Sequence, residues 1–153
     1  MRGILVGIDG SGHSAKALEW AAREAAVRKA PLTVLTVHQI IAGYVPPGVG
    51  YPVYAVPQAG DPELAELAQQ EAQREVDKVI GQLDEVSRPA SVTVRGVSGL
   101  PADELLNAGA EADMIVVGSR GRGGFRRLLL GSVASQVTQH AHVPVVVIPA
   151  ENS

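Results

Sequence analysis

A segment rich in glycine and arginine, residues 118–133 (GSRGRGGFRRLLLGSV), carries residue types that suit anion binding. Glycines let backbone N–H groups turn inward around a phosphate, and a helix opening at Gly131-Ser132 adds unpaired donors and the positive end of its dipole. Arginines at positions 120, 122, 126 and 127 supply local positive charge. Ser132 is expected to act as the helix N-cap and as a hydroxyl donor to a terminal phosphate. The alternative interpretation is a surface loop with solvated arginines.

The turn after the first apolar run nearly matches two other phosphate motifs. Residues 10–15 have the form G-x-G-x-x-A of dinucleotide-binding folds, but His38 and Gln39 stand where a ribose-binding acid is expected. Residues 7–14 fit G-x-x-x-x-G-H-S, a P-loop in which His13 replaces the lysine that neutralises phosphate. A tight strand-to-helix turn explains most of these glycines without any ligand.

Asp9 follows that apolar run, at the end where a parallel sheet opens its ligand crevice. A carboxylate there is costly to desolvate without a partner, which favours a binding role. Its alternative role is to stabilise the turn or cap the following helix. His140 and His142 make a poor metal pair, because alternate residues at a helix end point in different directions and no third ligand is evident.

Composition excludes several classes of protein. The 153 residues carry a formal net charge of −3, which gives no general attraction to nucleic acid or anionic lipid. There is no cysteine, so disulfides, thiolate catalysis and cysteine-ligated metals are excluded. No apolar run approaches the roughly 20 residues that span a bilayer, and the first residues are not typical of a secretory signal. We therefore expect a cytoplasmic protein with no membrane partner.

Apolar periodicity predicts alternating strands and helices. Strands are expected at 4–8, 32–37, 91–97, 114–117 and 143–148, and helices at 14–29, 61–86, 100–112 and 132–141. Hydrophobic residues make up 46% but aromatic residues only 3%, so the core must consist of Val, Leu, Ile and Ala. Such strands, alternating with helices, indicate an α/β fold with a parallel sheet and right-handed crossovers. We expect one domain over residues 1–150, a flexible surface loop at 39–60 and a tail at 151–153.

The spacing within the glycine-rich segment is the most specific signal in the chain. Gly118, two residues, Gly121, nine residues and Gly131-Ser132 match the pattern G-2x-G-9x-G-[S/T], and the chain resembles the ATP-binding universal stress proteins. Residues 4–11, 99–102, 112–118 and 143–148 strengthen the resemblance, which covers nearly the whole chain. It implies a doubly wound, Rossmann-like sheet of five parallel strands in the order 3-2-1-4-5, similar to adenine nucleotide alpha hydrolases, with helices on both faces.

The resemblance also implies a nucleotide site across the ends of the first and fourth strands. Asp9 would hold the adenosine part, with Gly7 and Ile8 in the same wall, and the backbone of Val37 would face the adenine. The remaining site positions would be Val117, Gly118, Gly121, Arg122, Gly131, Ser132 and Val133. ATP is the implied ligand, with Mg²⁺ or Mn²⁺ held through its phosphates. Thr36 stands where the family frequently has a histidine.

Three functions fit these residues: a nucleotide-dependent regulatory module of the stress response, a slow ATPase with the same pocket, and a cyclic AMP-binding protein. No general base or nucleophile with a supporting partner stands beside the phosphate segment, which argues against an enzyme. The apolar stretch from Val143 to Ile148 would lie at a sheet edge, so a homodimer is expected through pairing of these edges. Replacing Val146 with Lys is expected to give monomers.

Overall fold

The computed structural model describes residues 2–39, 62–119 and 130–149. Within these ranges five strands alternate with four α-helices, and a short 3₁₀ turn lies at Glu85–Ser87. In chain order the elements are β1 (Ile4–Ile8), α1 (Gly12–Arg28), β2 (Leu32–Gln39), α2 (Pro62–Gly81), β3 (Val92–Gly99), α3 (Pro101–Gly109), β4 (Met114–Gly118), α4 (Ser132–His140) and β5 (Val145–Ile148).

The strands form one parallel sheet in the order β3-β2-β1-β4-β5, which confirms the predicted fold. In the register of the central strands, Ile8 pairs with Thr36 of β2 and Val6 pairs with Val116 of β4. The carboxyl ends of β2, β1 and β4 therefore reach the same edge of the sheet. The strands β3 and β5 form the two lateral edges.

Two apolar clusters cover the two faces of the sheet, as expected for strands buried on both sides. Helices α1 and α2 pack on one face, around Val6, Val34 and Val116. Helices α3 and α4 pack on the other, around Leu35 and Ile115. The connections that lead to β2 and β3 therefore cross one face of the sheet. The connections that lead to β4 and β5 cross the opposite face.

The close fit of α1 to the sheet follows from its stripe of alanines. Ala17, Ala21, Ala22 and Ala25 are fully buried, because a methyl group lets the helix axis approach the strands. The helix ends where Lys29 adopts a left-handed conformation (φ 54°) and its N–H donates to the carbonyl of Ala26.

Several predicted boundaries differ from the structure. Helix α1 begins at Gly12 instead of residue 14, and α2 ends at Gly81, where the chain turns so that the N–H of Leu83 reaches the carbonyl of Ile80. Strand β2 continues through Gln39, so the predicted loop 39–60 begins one residue too early, and residues 40–60 lie outside the described ranges. None of the helices in the described part of the chain has the length and apolar character needed to cross a membrane.

Candidate functional site

The winding of the chain reverses between β1 and β4, at the centre of the sheet. From β1 the chain crosses to β2 over the α1 face, whereas it enters and leaves β4 over the α3 and α4 face. The chain thus leaves β1 and β4 towards opposite faces of the sheet, an arrangement that in open α/β sheets is associated with a crevice at the carboxyl edge. In doubly wound sheets this crevice is the usual ligand site, and Asp9 and Gly118 both lie at this edge.

The turn between β1 and α1 is held by its own side chains. The carboxylate of Asp9 accepts a hydrogen bond from the N–H of Ser11 (2.9 Å), and the Ser11 hydroxyl caps α1 by accepting from the N–H of Ser14 (3.2 Å). The Ser14 hydroxyl in turn donates to the carbonyl of Ser11 (3.0 Å) and accepts from the N–H of Asp9 (3.3 Å). Gly10 supplies the positive φ of 82°. Asp9 thus has the turn role that was its alternative, at an exposed position beside the crevice.

The P-loop interpretation is wrong, because Gly7 lies inside β1 and only three residues separate β1 from α1. Such a turn is too short to wrap around a phosphate chain. The glycine at position 7 has a packing reason instead: a Cβ there would meet the Leu105 side chain of α3 at 2.8 Å. At Gly12 a Cβ would meet nothing within 4 Å, and the third position of the dinucleotide motif, where a glycine packs the helix against the sheet, is Ala15.

The end of β4 and the start of α4 are joined by a short hydrogen-bonded bridge. The N–H of Ser119 donates to the carbonyl of Ile148 (2.8 Å), and the carbonyl of Ser119 accepts from the N–H of Gly131. Ser119 is 93% buried at this junction, with 7% relative exposure. The bridge places the first turn of α4 directly beyond the last residue of β4. Sequence analysis did not single out Ser119, since its importance depends on two long-range partners.

Among the described residues, no side chain caps the first turn of helix α4. Gly131 is its N-cap, with φ −72° and ψ 173°, and makes no side-chain cap hydrogen bond. The prediction that Ser132 is the N-cap is therefore wrong: Ser132 is the first helical residue, and the first helical hydrogen bond runs from the N–H of Ser135 to the carbonyl of Gly131 (2.9 Å). A glycine cap leaves the first-turn N–H groups unshielded by a side chain, which suits an anion.

The side chains at the start of α4 point in two directions. Ser132 is exposed, and its hydroxyl accepts from the Gln136 side chain one turn along (3.2 Å). Val133 is half-buried and packs against the cluster on the α3 and α4 face. The neighbouring candidates Gly121 and Arg122 lie outside the described residues.

At the remaining positions predicted for the site, the backbone is better placed than the side chain to contact a ligand. Ile8 and Val117 are 6% and 3% exposed, and their side chains point into opposite cores. Val37 is half-buried. It follows Thr36, the register partner of Ile8, so it lies on the neighbouring strand beside Asp9. Gly118 ends β4 and pairs with Ile148. The structure therefore brings the described candidates to one edge of the sheet.

A metal site built from protein ligands is not evident in the described ranges. No three His, Asp or Glu side chains among residues 2–39, 62–119 and 130–149 lie close enough to share an ion. His140 ends α4 and His142 is exposed beyond it.

Comparisons with known proteins agree on one family. A family model described as the universal stress protein family matches residues 1–149. A universal stress protein of Mycobacterium tuberculosis is 36% identical over 156 residues, which cover 97% of this chain and 48% of that protein. The chain therefore spans about half the length of the curated relatives it matches.

Solved structures give the same result. The universal stress protein UspA from Lactobacillus plantarum is 27% identical with a TM-score of 0.67, over 96% of this chain and 97% of that one. A universal stress protein crystallised in complex with cAMP is 25% identical with a TM-score of 0.62, over 97% of this chain and 96% of that one.

Proposed function

The chain belongs to the universal stress protein family, and from that premise we propose that it binds an adenine nucleotide at the carboxyl ends of β1 and β4, with ATP as the preferred ligand. The observation that carries the proposal is the hydrogen bond between Ser119 and Gly131, which holds the open N-terminus of α4 against the end of β4. A helix N-terminus offers unpaired N–H donors and a positive dipole end to phosphate oxygens.

The proposed pose runs along the edge of the sheet. The adenosine part lies near Asp9 and the backbone of Val37, with the backbone of Gly7 and Ile8 behind it. The phosphates lie over the start of α4, on the backbone of Gly131, Ser132 and Val133, and are also contacted by Val117, Gly118, Gly121 and Arg122. Mg²⁺ or Mn²⁺ would be held chiefly through the phosphates, because the described residues offer no protein cluster for it.

A cyclic nucleotide is the second candidate, since one solved relative is a complex with cAMP. The two ligands differ in how many phosphates they offer. If the hydroxyl of Ser132 and the first-turn amides of α4 serve the terminal phosphates, ATP binds more tightly than AMP or cyclic AMP. If a single phosphate is the only one bound, cyclic AMP binds at least as tightly as ATP.

We propose that nucleotide occupancy regulates conformation or partner choice in a stress response, as a binding module. A slow ATPase with the same pocket is the alternative. Asp9 follows β1 at the carboxyl edge, and its hydrogen bond from the N–H of Ser11 holds it in the turn. A carboxylate so engaged is a weak candidate for a general base.

The proposal is tested first by mass identification of the small molecule released when the purified protein is denatured. ATP, AMP and cyclic AMP are then titrated into the wild type and a Gly121→Asp variant, whose added carboxylate would repel phosphates. Recovery of ATP, with binding lost in the variant, would support the proposal. No nucleotide recovered and no binding at about 1 mM ligand, a free energy weaker than about −4 kcal/mol, would refute it.

A homodimer through the last strand remains a proposal, as do the single domain over residues 1–150 and the cytoplasmic location. Strand β5 is an edge strand and all four of its residues are half-buried. The carbonyls of Pro144 and Ile148 accept hydrogen bonds from β4, so the backbone groups of Val145 and Val147 point outward from the sheet. No strand of the described ranges covers these outward groups, and we propose that they pair with the same strand of a second copy.

A further inference from the structure

A groove of about 350 Å³ lies between edge strand β3 and helix α3, and none of the residues proposed for the nucleotide lines it. Its floor consists of Leu35, Val97 and Ala108. Three charged side chains, Arg95, Glu104 and Glu111, and the amide of Asn107 form the walls. The groove therefore combines apolar residues with charges of both signs, and Arg95, Asn107 and Glu111 in it are exposed.

Chain topology brings these distant positions together. Arg95 is the register partner of Leu35 across the β2–β3 pair. At the other wall, the side chain of Glu104 lies so close to the backbone of Gly99 that a Cβ there would meet Oε1 at 2.6 Å. Glu111 follows seven residues later, two residues beyond the end of α3 at Gly109, so the two glutamates come from the helix and from the turn after it.

The charges that line the groove are not neutralised by one another. In the part of the chain that the structure describes, no ion pair or side-chain hydrogen bond involves Arg95, Glu104 or Glu111. Exposed charges on α1 do pair, as Arg28 does with Glu24 at 2.7 Å. Two carboxylates and one guanidinium thus face the same space and are complemented by a ligand with two cationic groups and one carboxylate.

We propose that this groove binds a basic α-amino acid, such as lysine or arginine. Such a ligand carries an α-ammonium, a distal cation and a carboxylate, and its net charge of about +1 balances the net charge of about −1 on the walls at neutral pH. Its two cations pair with the two glutamates and its carboxylate pairs with Arg95. Its methylene stem lies on Leu35, Val97 and Ala108, while Asn107 offers both a donor and an acceptor.

Titration calorimetry with the full chain tests the ligand class. L-lysine and L-arginine are expected to bind with dissociation constants on the order of 1 mM, because an open groove leaves the charges partly solvated. Norleucine lacks the distal cation and cadaverine lacks the carboxylate, so each is expected to bind at least about tenfold more weakly. The titrations are run at an ionic strength of about 0.02 M, where exposed charges are screened little.

Matched variants test the site. Glu104→Gln keeps side-chain size and removes one charge, Arg95→Gln removes the guanidinium and keeps a shorter polar side chain, and both are expected to weaken lysine binding at least about tenfold. Asp103→Asn is the control, since Asp103 is an exposed acid next to Glu104 that does not line the groove. Circular dichroism confirms that each variant is folded. Absence of binding up to about 20 mM ligand, equal binding of norleucine, or equal losses in Asp103→Asn and Glu104→Gln would overturn the proposal.

Discussion

Two serines in α4 make a matched pair for testing the proposed phosphate site. Ser132 lies in the first turn and accepts a hydrogen bond from Gln136 (3.2 Å), and Ser135 accepts an equivalent bond from Gln139 (3.3 Å) one turn later. Changing either serine to alanine removes the same hydroxyl and the same serine–glutamine bond within the same helix. Only Ser132 lies at the helix N-terminus, where the terminal phosphates are proposed to bind.

The expected loss follows from the charge on the phosphate. A hydrogen bond to a charged group contributes about 1.5–3 kcal/mol, so Ser132→Ala should weaken ATP binding about 10- to 150-fold. Ser135→Ala should leave ATP affinity within about twofold of the wild type, because additivity errors at uninvolved sites are about 0.3–0.5 kcal/mol. AMP affinity should change little in either variant if the hydroxyl serves the terminal phosphates.

Isothermal titration of ATP and AMP into the three proteins measures these differences, and thermal unfolding without ligand checks that both variants are equally stable. Equal ATP affinity in Ser132→Ala and Ser135→Ala would refute a phosphate contact at the start of α4. A loss of AMP binding as large as the loss of ATP binding would instead show that the hydroxyl contacts the phosphate nearest to the ribose.

Three further outcomes follow from the packing. Gly7→Ala should destabilise the fold by about 1–3 kcal/mol in urea unfolding, because its Cβ meets Leu105 at 2.8 Å. Gly12→Ala, whose Cβ meets no atom within 4 Å, should be neutral or stabilising. Equal effects of the two substitutions would contradict the packing role of Gly7. Ser11→Ala should cost about 1 kcal/mol in the same assay through loss of the α1 cap, and an unchanged midpoint would show that the cap does not contribute. Val147→Pro removes an outward N–H from β5 and should give monomers in sedimentation, and a persistent dimer would exclude pairing through this edge.

The structure favours Val147→Pro over Val146→Lys as the test of the proposed dimer. Val146 faces β4 and packs against the core on the α1 face, so the Val146→Lys substitution suggested by the sequence would disturb folding as well as any interface. Val147 has its backbone on the open side of the strand. A proline at this edge position removes a donor that points away from the sheet, and because the Val147 side chain packs against the cluster on the α3 and α4 face, thermal unfolding must show that the variant is folded.

The sequence predicted the fold in detail because its signals are local. Short β-branched runs such as residues 32–37 and the alanine stripe of α1 encode their elements through periodicity and burial, which depend on near neighbours along the chain. The G-2x-G-9x-G-S spacing similarly identified the family and located the candidate segment. Boundaries were less accurate, as at Gln39 and Gly81, since strand ends depend on pairing partners and helix ends on packing.

Only the tertiary structure decided which residues meet. That Gly131 and not Ser132 caps α4 follows from the bridge to Ser119, which joins positions twelve residues apart in the chain. The need for glycine at position 7 comes from Leu105, and the charged groove comes from placing Arg95 of β3 opposite α3. Local periodicity shows which face of a helix or strand is apolar, but it does not show which other element covers that face. Long-range contacts are settled by the packing of the whole sheet, so these features appear only once the chain has folded.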